Sequence, residues 1–139
     1  MATVSENDVT NALQEAERAL QQIDKQSLTE LACFAHPPKA ITTLMQVVGI
    51  FLQPEISSNK FTWNDGRQLL RKSNFLQILL QFDKERITAE QVTRAASYMT
   101  REEMQSTTMN NISRAGANLL TWVRAIYLYG QMKQQPAAH

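Results

Sequence analysis

Apolar residues recur in a 4-3-4-3 rhythm near the start of the chain, at Val9, Leu13, Ala16, Leu20 and Ile23, with Gln, Glu and Arg between them. That rhythm predicts a helix carrying a coiled-coil seam. Continued unchanged, the seam would reach Ser27 and Glu30. The apolar positions instead move over by one, to Leu28, Leu31 and Ala35. A one-residue displacement turns the stripe by ~100° around the helix, so the packing register must change there. As one continuous helix, this first arm, Asp8–Ala35, would be about 40 Å long. Near the other end two stripes run side by side. Leu119, Trp122, Ile126 and Tyr129 form one, and Leu120, Val123 and Tyr127 form the other. Two readings fit them: the facing helix can sit in either of two registers, or one stripe meets the first arm while the other meets a globular core.

Between the arms, helix starts are marked by a hydroxyl side chain followed three residues later by a group that can bond back. Ser5 with Asp8, Thr62 with Asp65, Thr88 with Gln91 and Thr100 with Glu103 all fit, predicting helices that begin near residues 6, 63, 89 and 101. Pro37-Pro38 stops whatever precedes it, because proline pushes the residue before it out of the α region. Pro38 also suits a first helical turn, so a helix is expected over Pro38–Gln53, ending at Pro54, with a polar loop over Glu55–Phe61. Val47, Val48, Ile50, Phe51 and Leu52 would form its buried face, and Trp63, Phe75, Phe82, Trp122 and Tyr129 the aromatic anchors of the core.

Composition sharpens this picture. Four glycines and four prolines in 139 residues are too few for the tight turns of an all-β domain. The fold class is therefore all-α, a compact bundle of about six short helices on a truncated antiparallel two-stranded coiled coil. The expected division is a first stalk strand over 1–35, a globular head over 36–117 and a second strand over 118–139, continuous with the last head helix. The termini, Met1-Ala2-Thr3 and Gln134-Gln135-Pro136, suggest a piece cut from a longer chain through both strands of the stalk. No apolar run approaches the ~20 residues of a membrane span, and no basic-then-apolar leader opens the chain. A reducing, intracellular setting is expected.

Candidate chemistry is sparse. Gly49, Gly66, Gly116 and Gly130 are isolated, so no phosphate-cradling loop is formed. One cysteine, Cys33, and two histidines, His36 and His139, cannot make a metal cluster. Cys33 and His36 lie three apart, but a catalytic pair would need an orienting third group. A small buried cysteine and a capping histidine are the expectation. The acid pairs Glu102-Glu103 and Asp83 with Glu85 sit in charge-mixed, surface-like stretches. No catalytic residue, metal or cofactor is expected. Arg67, Lys84, Arg86, Arg94 and Arg101 read as solvated surface charges.

The net charge of +1 conceals a division. Residues 1–35 carry six acids against two bases, residues 36–116 ten bases against seven acids, and the rest adds Arg124 and Lys133. An acidic arm thus bears a mildly basic head. That suits an acidic protein surface, with contacts that weaken as salt rises, and is too weak to suggest nucleic acid.

Several ordered segments resemble the stalk tip of dynein heavy chains, the microtubule-binding domain. They are Glu30-Leu31 leading to His36-Pro37-Pro38-Lys39-Ala40-Ile41, Trp63, Asn74-Phe75-Leu76, Phe82-Asp83-Lys84-Glu85-Arg86-Ile87, Ser113-Arg114-Ala115-Gly116, Trp122-Val123-Arg124-Ala125 and Tyr129. Together they span about residues 28 to 133, and the Phe-Asp-Lys and Trp-Val-Arg-Ala forms look more axonemal than cytoplasmic. The resemblance implies a six-helix head that binds α/β-tubulin, with Pro37 and Pro38 at the stalk junction. It assigns microtubule contacts to Lys39, Thr42, Thr43 and Gln46 on the first head helix, Arg71 and Lys72 at the start of the third, and Asn111 and Arg114 at the last. Two positions depart from the family, Thr42 and Thr121, where members often carry lysine.

The resemblance further implies that a remote ATPase ring slides one stalk helix against the other to change the affinity of the tip, in the cytoplasm or cytoskeleton and, on the axonemal likeness, in a cilium or flagellum. The alternative is a helical adaptor or coiled-coil scaffold that binds another protein. A hairpin would be monomeric, whereas a scaffold would dimerise through Val9–Ile23. A small helical enzyme has no residues to support it.

Overall fold

The computed structural model describes residues 5–134, and the expectations for Met1-Ala2-Thr3 and for Gln135, Pro136 and His139 lie outside them. Among the described residues there are eight α-helices and no strand. They are α1 (Glu6–Gln21), α2 (Lys25–Ala32), α3 (Lys39–Leu52), α4 (Trp63–Arg71), α5 (Phe75–Leu80), α6 (Ala89–Met99), α7 (Ser106–Ile112) and α8 (Arg114–Gln134). Short 3₁₀ turns at Lys84–Arg86 and Glu102–Met104 link the later helices.

The first arm is not continuous. α1 ends at Gln21 and α2 begins at Lys25, with the Asp24 carboxylate accepting from the Ser27 backbone N–H at 2.8 Å. A single helix would have to carry Ser27 and Glu30 inward to keep the seam. The chain breaks instead, and an aspartate N-cap restarts it with Leu28, Leu31 and Ala32 inward. The capped starts at Ser5, Thr62 and Thr88 are present, the last two as reciprocal capping boxes. No α-helix starts near 101. Thr100 donates instead to the Ala96 carbonyl, and Glu103 leaves the backbone to accept from Thr43. The helix expected over Pro38–Gln53 is α3, with Pro38 as its N-cap and Gln53 as its C-cap.

α3 is buried on nearly every side, Val47 and Val48 fully so, as an apolar helix must be when others surround it. α1 packs on α8 more extensively than any other helix pair. The pair is antiparallel: Ala12 and Glu15 share a groove with Leu128 and Gln131, while Leu20 and Gln21 share one with Trp122. The seam residues Val9, Ala16, Leu20 and Ile23 are therefore covered within the chain.

The two stripes of α8 meet α1 and the head, with Tyr127 of the second also beside Ala12 and Glu15 of α1. Trp122 and Ile126 face α1 and Phe82, and Trp122 donates its indole N–H to the Leu79 carbonyl at 3.2 Å. Gly116 and Gly130 flank the second stripe at heptad spacing and receive the head. Ile41 and Met109 approach Gly116, and Val92 and Ile87 approach Gly130.

Two exposures differ from expectation. Cys33 is exposed, not buried, and His36 is exposed. Arg94 is no free surface charge. It donates to the carbonyls of Pro54 and Ile56 at 3.0 and 2.9 Å and to the Ser58 hydroxyl, pinning the loop after α3. Phe61, at the end of that loop, is buried against Gly49.

Candidate functional site

The junction between α2 and α3 organises one end of the molecule. Pro37 interrupts the chain, and the Pro38 carbonyl accepts from Ile41 and Thr42 to open α3. From α4, the Trp63 indole N–H reaches the Phe34 carbonyl at 2.9 Å and fixes the stretch before the prolines. Close contacts of Gly116 with Ile41 and Met109 bring the first turns of α3 and α8 together with α7. Ser113 caps α8, its hydroxyl accepting from the Gly116 N–H at 3.0 Å.

On this scaffold Lys39 stands at the first position of α3 with its side chain 76% exposed. Arg114 stands exposed at the first position of α8 and Asn111 is exposed near the end of α7. Cations at helix N-termini oppose the macrodipole by about 0.3–1 kcal/mol each, and neither first turn contains an acid to offset this. Glu103 from a neighbouring turn offsets this for Lys39, whereas Arg114 is placed against local stability.

Thr42 is half-buried and turns back to the Pro38 carbonyl, and Gln46 is half-buried with its amide donating to the Phe61 carbonyl at 2.6 Å. Thr43 is a correction to the surface set. It is 3% exposed and donates to Glu103 at 2.8 Å, because its position on α3 faces the turn that carries that acid.

Glu103, expected from the sequence as a helix-start partner of Thr100 and a surface acid, is instead the electrostatic centre of this end. It lies 4.0 Å from Lys39 and 3.9 Å from Arg101. Partial burial pushes its carboxyl up, but the Thr43 hydrogen bond, its own backbone N–H and the Lys39 and Arg101 charges together leave it below the ordinary carboxylate value.

Arg71 and Lys72 lie elsewhere. They line a groove with Lys25, Leu28 and Thr29 of α2, whereas Ser27, Glu30 and Leu31 of the same helix, with Phe34 just after it, border Arg114. At ~100° per residue these two sets of α2 side chains point to opposite sides. Arg71 and Lys72 are thus separated from Arg114 by α2. Thr121 is half-buried and bonds back to the Ala117 carbonyl. Among the described residues no cluster of His, Cys, Asp or Glu could hold a metal, and no helix is long and apolar enough to cross a membrane.

The family described as the microtubule-binding stalk of dynein motor matches residues 4–133. Human "Dynein axonemal heavy chain 2" is 31% identical over 121 residues, 87% of this chain and 3% of that protein. The Chlamydomonas reinhardtii "Dynein-1-beta heavy chain, flagellar inner arm I1 complex" is 28% identical over 127 residues, 91% of this chain and 3% of that protein. The Caenorhabditis elegans "Dynein heavy chain, cytoplasmic" is 29% identical over 133 residues, 94% of this chain and 3% of that protein. The chain thus spans about 3% of the length of these relatives. In structure it is similar to the "Microtubule Binding Domain of DYNEIN-C", with a TM-score of 0.78 at 21% identity, covering 92% of this chain and 88% of that one.

Proposed function

This chain belongs to the family of microtubule-binding stalks of dynein motors, and from that premise we propose that it is the track-contacting tip of a ciliary or flagellar dynein heavy chain. It is a binding module, without a catalytic site of its own. The tubulin-facing set is Lys39, Thr42, Gln46, Asn111 and Arg114, with Arg71 and Lys72 as a separate basic patch. As a separate piece the chain is monomeric, since its seam is already covered.

The observation that carries this reading is the path of α8. One helix of 21 residues bears Arg114 at its first position and lies antiparallel to α1 along its second half. At ~1.5 Å per residue it is about 30 Å long, and a shift of α8 along α1 reaches Arg114 as a rigid displacement. The same shift moves Gly116 against Ile41 in the first turn of α3, beside Lys39. Nucleotide state in a remote ATPase ring would reach the tubulin face by this route, biasing a two-state element from both ends.

Engineered disulfides between α1 and α8, one set for each of two registers and with Cys33 replaced by serine, test the coupling. Microtubule affinity should differ between the locked forms. Equal affinity in both would remove the proposed coupling.

A further inference from the structure

α1 and the stretch from α5 to the Lys84–Arg86 turn flank a groove of about 340 Å³ over α8. One wall carries Leu13 and Glu17, the other Leu80, Phe82 and Lys84, and Trp122 of α8 lies between them. Leu80 is 44% exposed, the one large hydrophobic side chain so exposed among the described residues. Leu13 and Phe82 beside it are only half-buried. The base of the groove is fixed in place: Phe82 meets Trp122 edge-on at a ring separation of 5.5 Å, and the Trp122 N–H is held by the Leu79 carbonyl. The two walls bear opposite charges. Glu17 is exposed, Lys84 reaches over the Tyr129 ring, and neither is in an ion pair among the described residues.

We propose that this groove docks an amphipathic helix of a partner protein, with an apolar stripe bordered by basic residues on one edge and acidic residues on the other. A helix suits the site because its backbone groups are bonded internally. An extended segment would lay unpaired N–H and C=O groups on an apolar base. The stripe covers Leu13, Leu80 and Phe82, the basic edge faces Glu17 and the acidic edge faces Lys84. Charge complementarity thus selects a mixed-edge helix over a uniformly acidic or uniformly basic one. Trp122 lies about 12 Å along α8 from Arg114. The groove is therefore separate from the tubulin-facing set, and the inference does not rest on that reading.

The test uses the whole chain and three fluorescein-labelled peptides of about 18 residues, above the length at which isolated helices are marginal. Each has a leucine stripe and is read by fluorescence anisotropy. One carries arginine along one edge and glutamate along the other, the second arginine along both, the third glutamate along both. The mixed-edge peptide should bind the parent tightest, whichever way it runs. Leu80→Gln should weaken that binding about tenfold, with unchanged circular dichroism and microtubule co-sedimentation. Glu17→Lys makes both walls cationic and should move the preference to the glutamate-edged peptide, by about threefold. No binding of the mixed-edge peptide by the parent, unaltered affinity in Leu80→Gln, or an unaltered order of preference in Glu17→Lys overturns the proposal. So does a concentration-dependent dimer that Leu80→Gln abolishes, which would give the groove to a second copy. A parent that binds the mixed-edge peptide but fails to pellet with microtubules would sink the tubulin reading alone.

Discussion

Replacing Gln91 with leucine removes the donor that reaches the carbonyls at the end of α3. The Ile50 carbonyl would ordinarily accept from the N–H four residues on, but that residue is Pro54, which has none. Gln91 of α6, 5% exposed, supplies the missing donor, its amide lying 3.1 Å from the Ile50 carbonyl and 3.4 Å from that of Phe51. Its carbonyl oxygen meanwhile accepts from the Thr88 N–H at 2.8 Å and closes the capping box of α6.

Leucine fills much the same space but leaves one well-made carbonyl bond and one long one unmade, about 2 kcal/mol together where water does not enter. The lost side of the part-buried capping box adds about 0.5–1 kcal/mol. The total of about 3 kcal/mol lowers the Tm by roughly 10 °C in a chain of this length. Urea denaturation should show the same loss with an unchanged slope. In a Pro54→Ala background the leucine should cost less, because residue 54 regains an N–H. That coupling is the signature of the argument. Gln91→Glu keeps the acceptor toward Thr88 but turns a carboxylate toward two carbonyls. Its carboxyl is held protonated by that environment, so the variant regains stability as pH falls. A loss below about 1 kcal/mol for Gln91→Leu, additive with Pro54→Ala, would refute the reasoning.

Gly130→Ala should destabilise the fold. A Cβ there would sit 2.7 Å from Val92 Cγ2 and 3.0 Å from Ile87 Cγ2, and overpacking of about 1–3 kcal/mol outweighs a helix-propensity gain of about 1 kcal/mol. Greater stability in urea would contradict this. Thr42→Lys adds a cation beside Lys39 and should tighten microtubule binding about two- to fivefold with a steeper salt dependence. Unchanged affinity would count against placing α3 on the tubulin face. The Tyr129 hydroxyl donates to Glu85, and that bond, with burial and the charges of Glu85 and Asp83, pushes its pKa up to about 12. A raised folded-state pKa means a contribution fully present below the ordinary tyrosine value near 10 and lost as pH rises to about 12. Tyr129→Phe should flatten that alkaline decline in Tm, and an identical decline in the variant would exclude Tyr129 as its source.

What the sequence made legible was short-range. The boxes at Thr62 with Asp65 and Thr88 with Gln91 lie within one helical turn, and Pro37-Pro38 acts on its neighbours alone. The break at Gln22–Asp24 carried the same kind of signal, an aspartate three residues before Ser27, but the surrounding apolar rhythm masked it. Arg94 and Glu103 were read as surface charges because their partners lie about 40 and 60 residues away in the chain, where no local pattern reaches. Thr43 was assigned to the surface by its place in a motif, and only the packing of α3 against the Glu102–Met104 turn sets which of two adjacent threonines faces out. Lys39 and Arg114 were assigned by family resemblance alone, and the structure adds that both occupy helix N-termini where the dipole disfavours a cation.

Co-sedimentation with polymerised microtubules over a rising salt series, for the parent chain and Arg114→Glu side by side, bears most directly on the role assigned to this molecule. The parent should pellet with microtubules in dilute buffer and be released as salt rises, while the folded Arg114→Glu chain stays in solution. A parent chain that remains soluble at low salt, or a reversed-charge variant that pellets equally, would contradict the account.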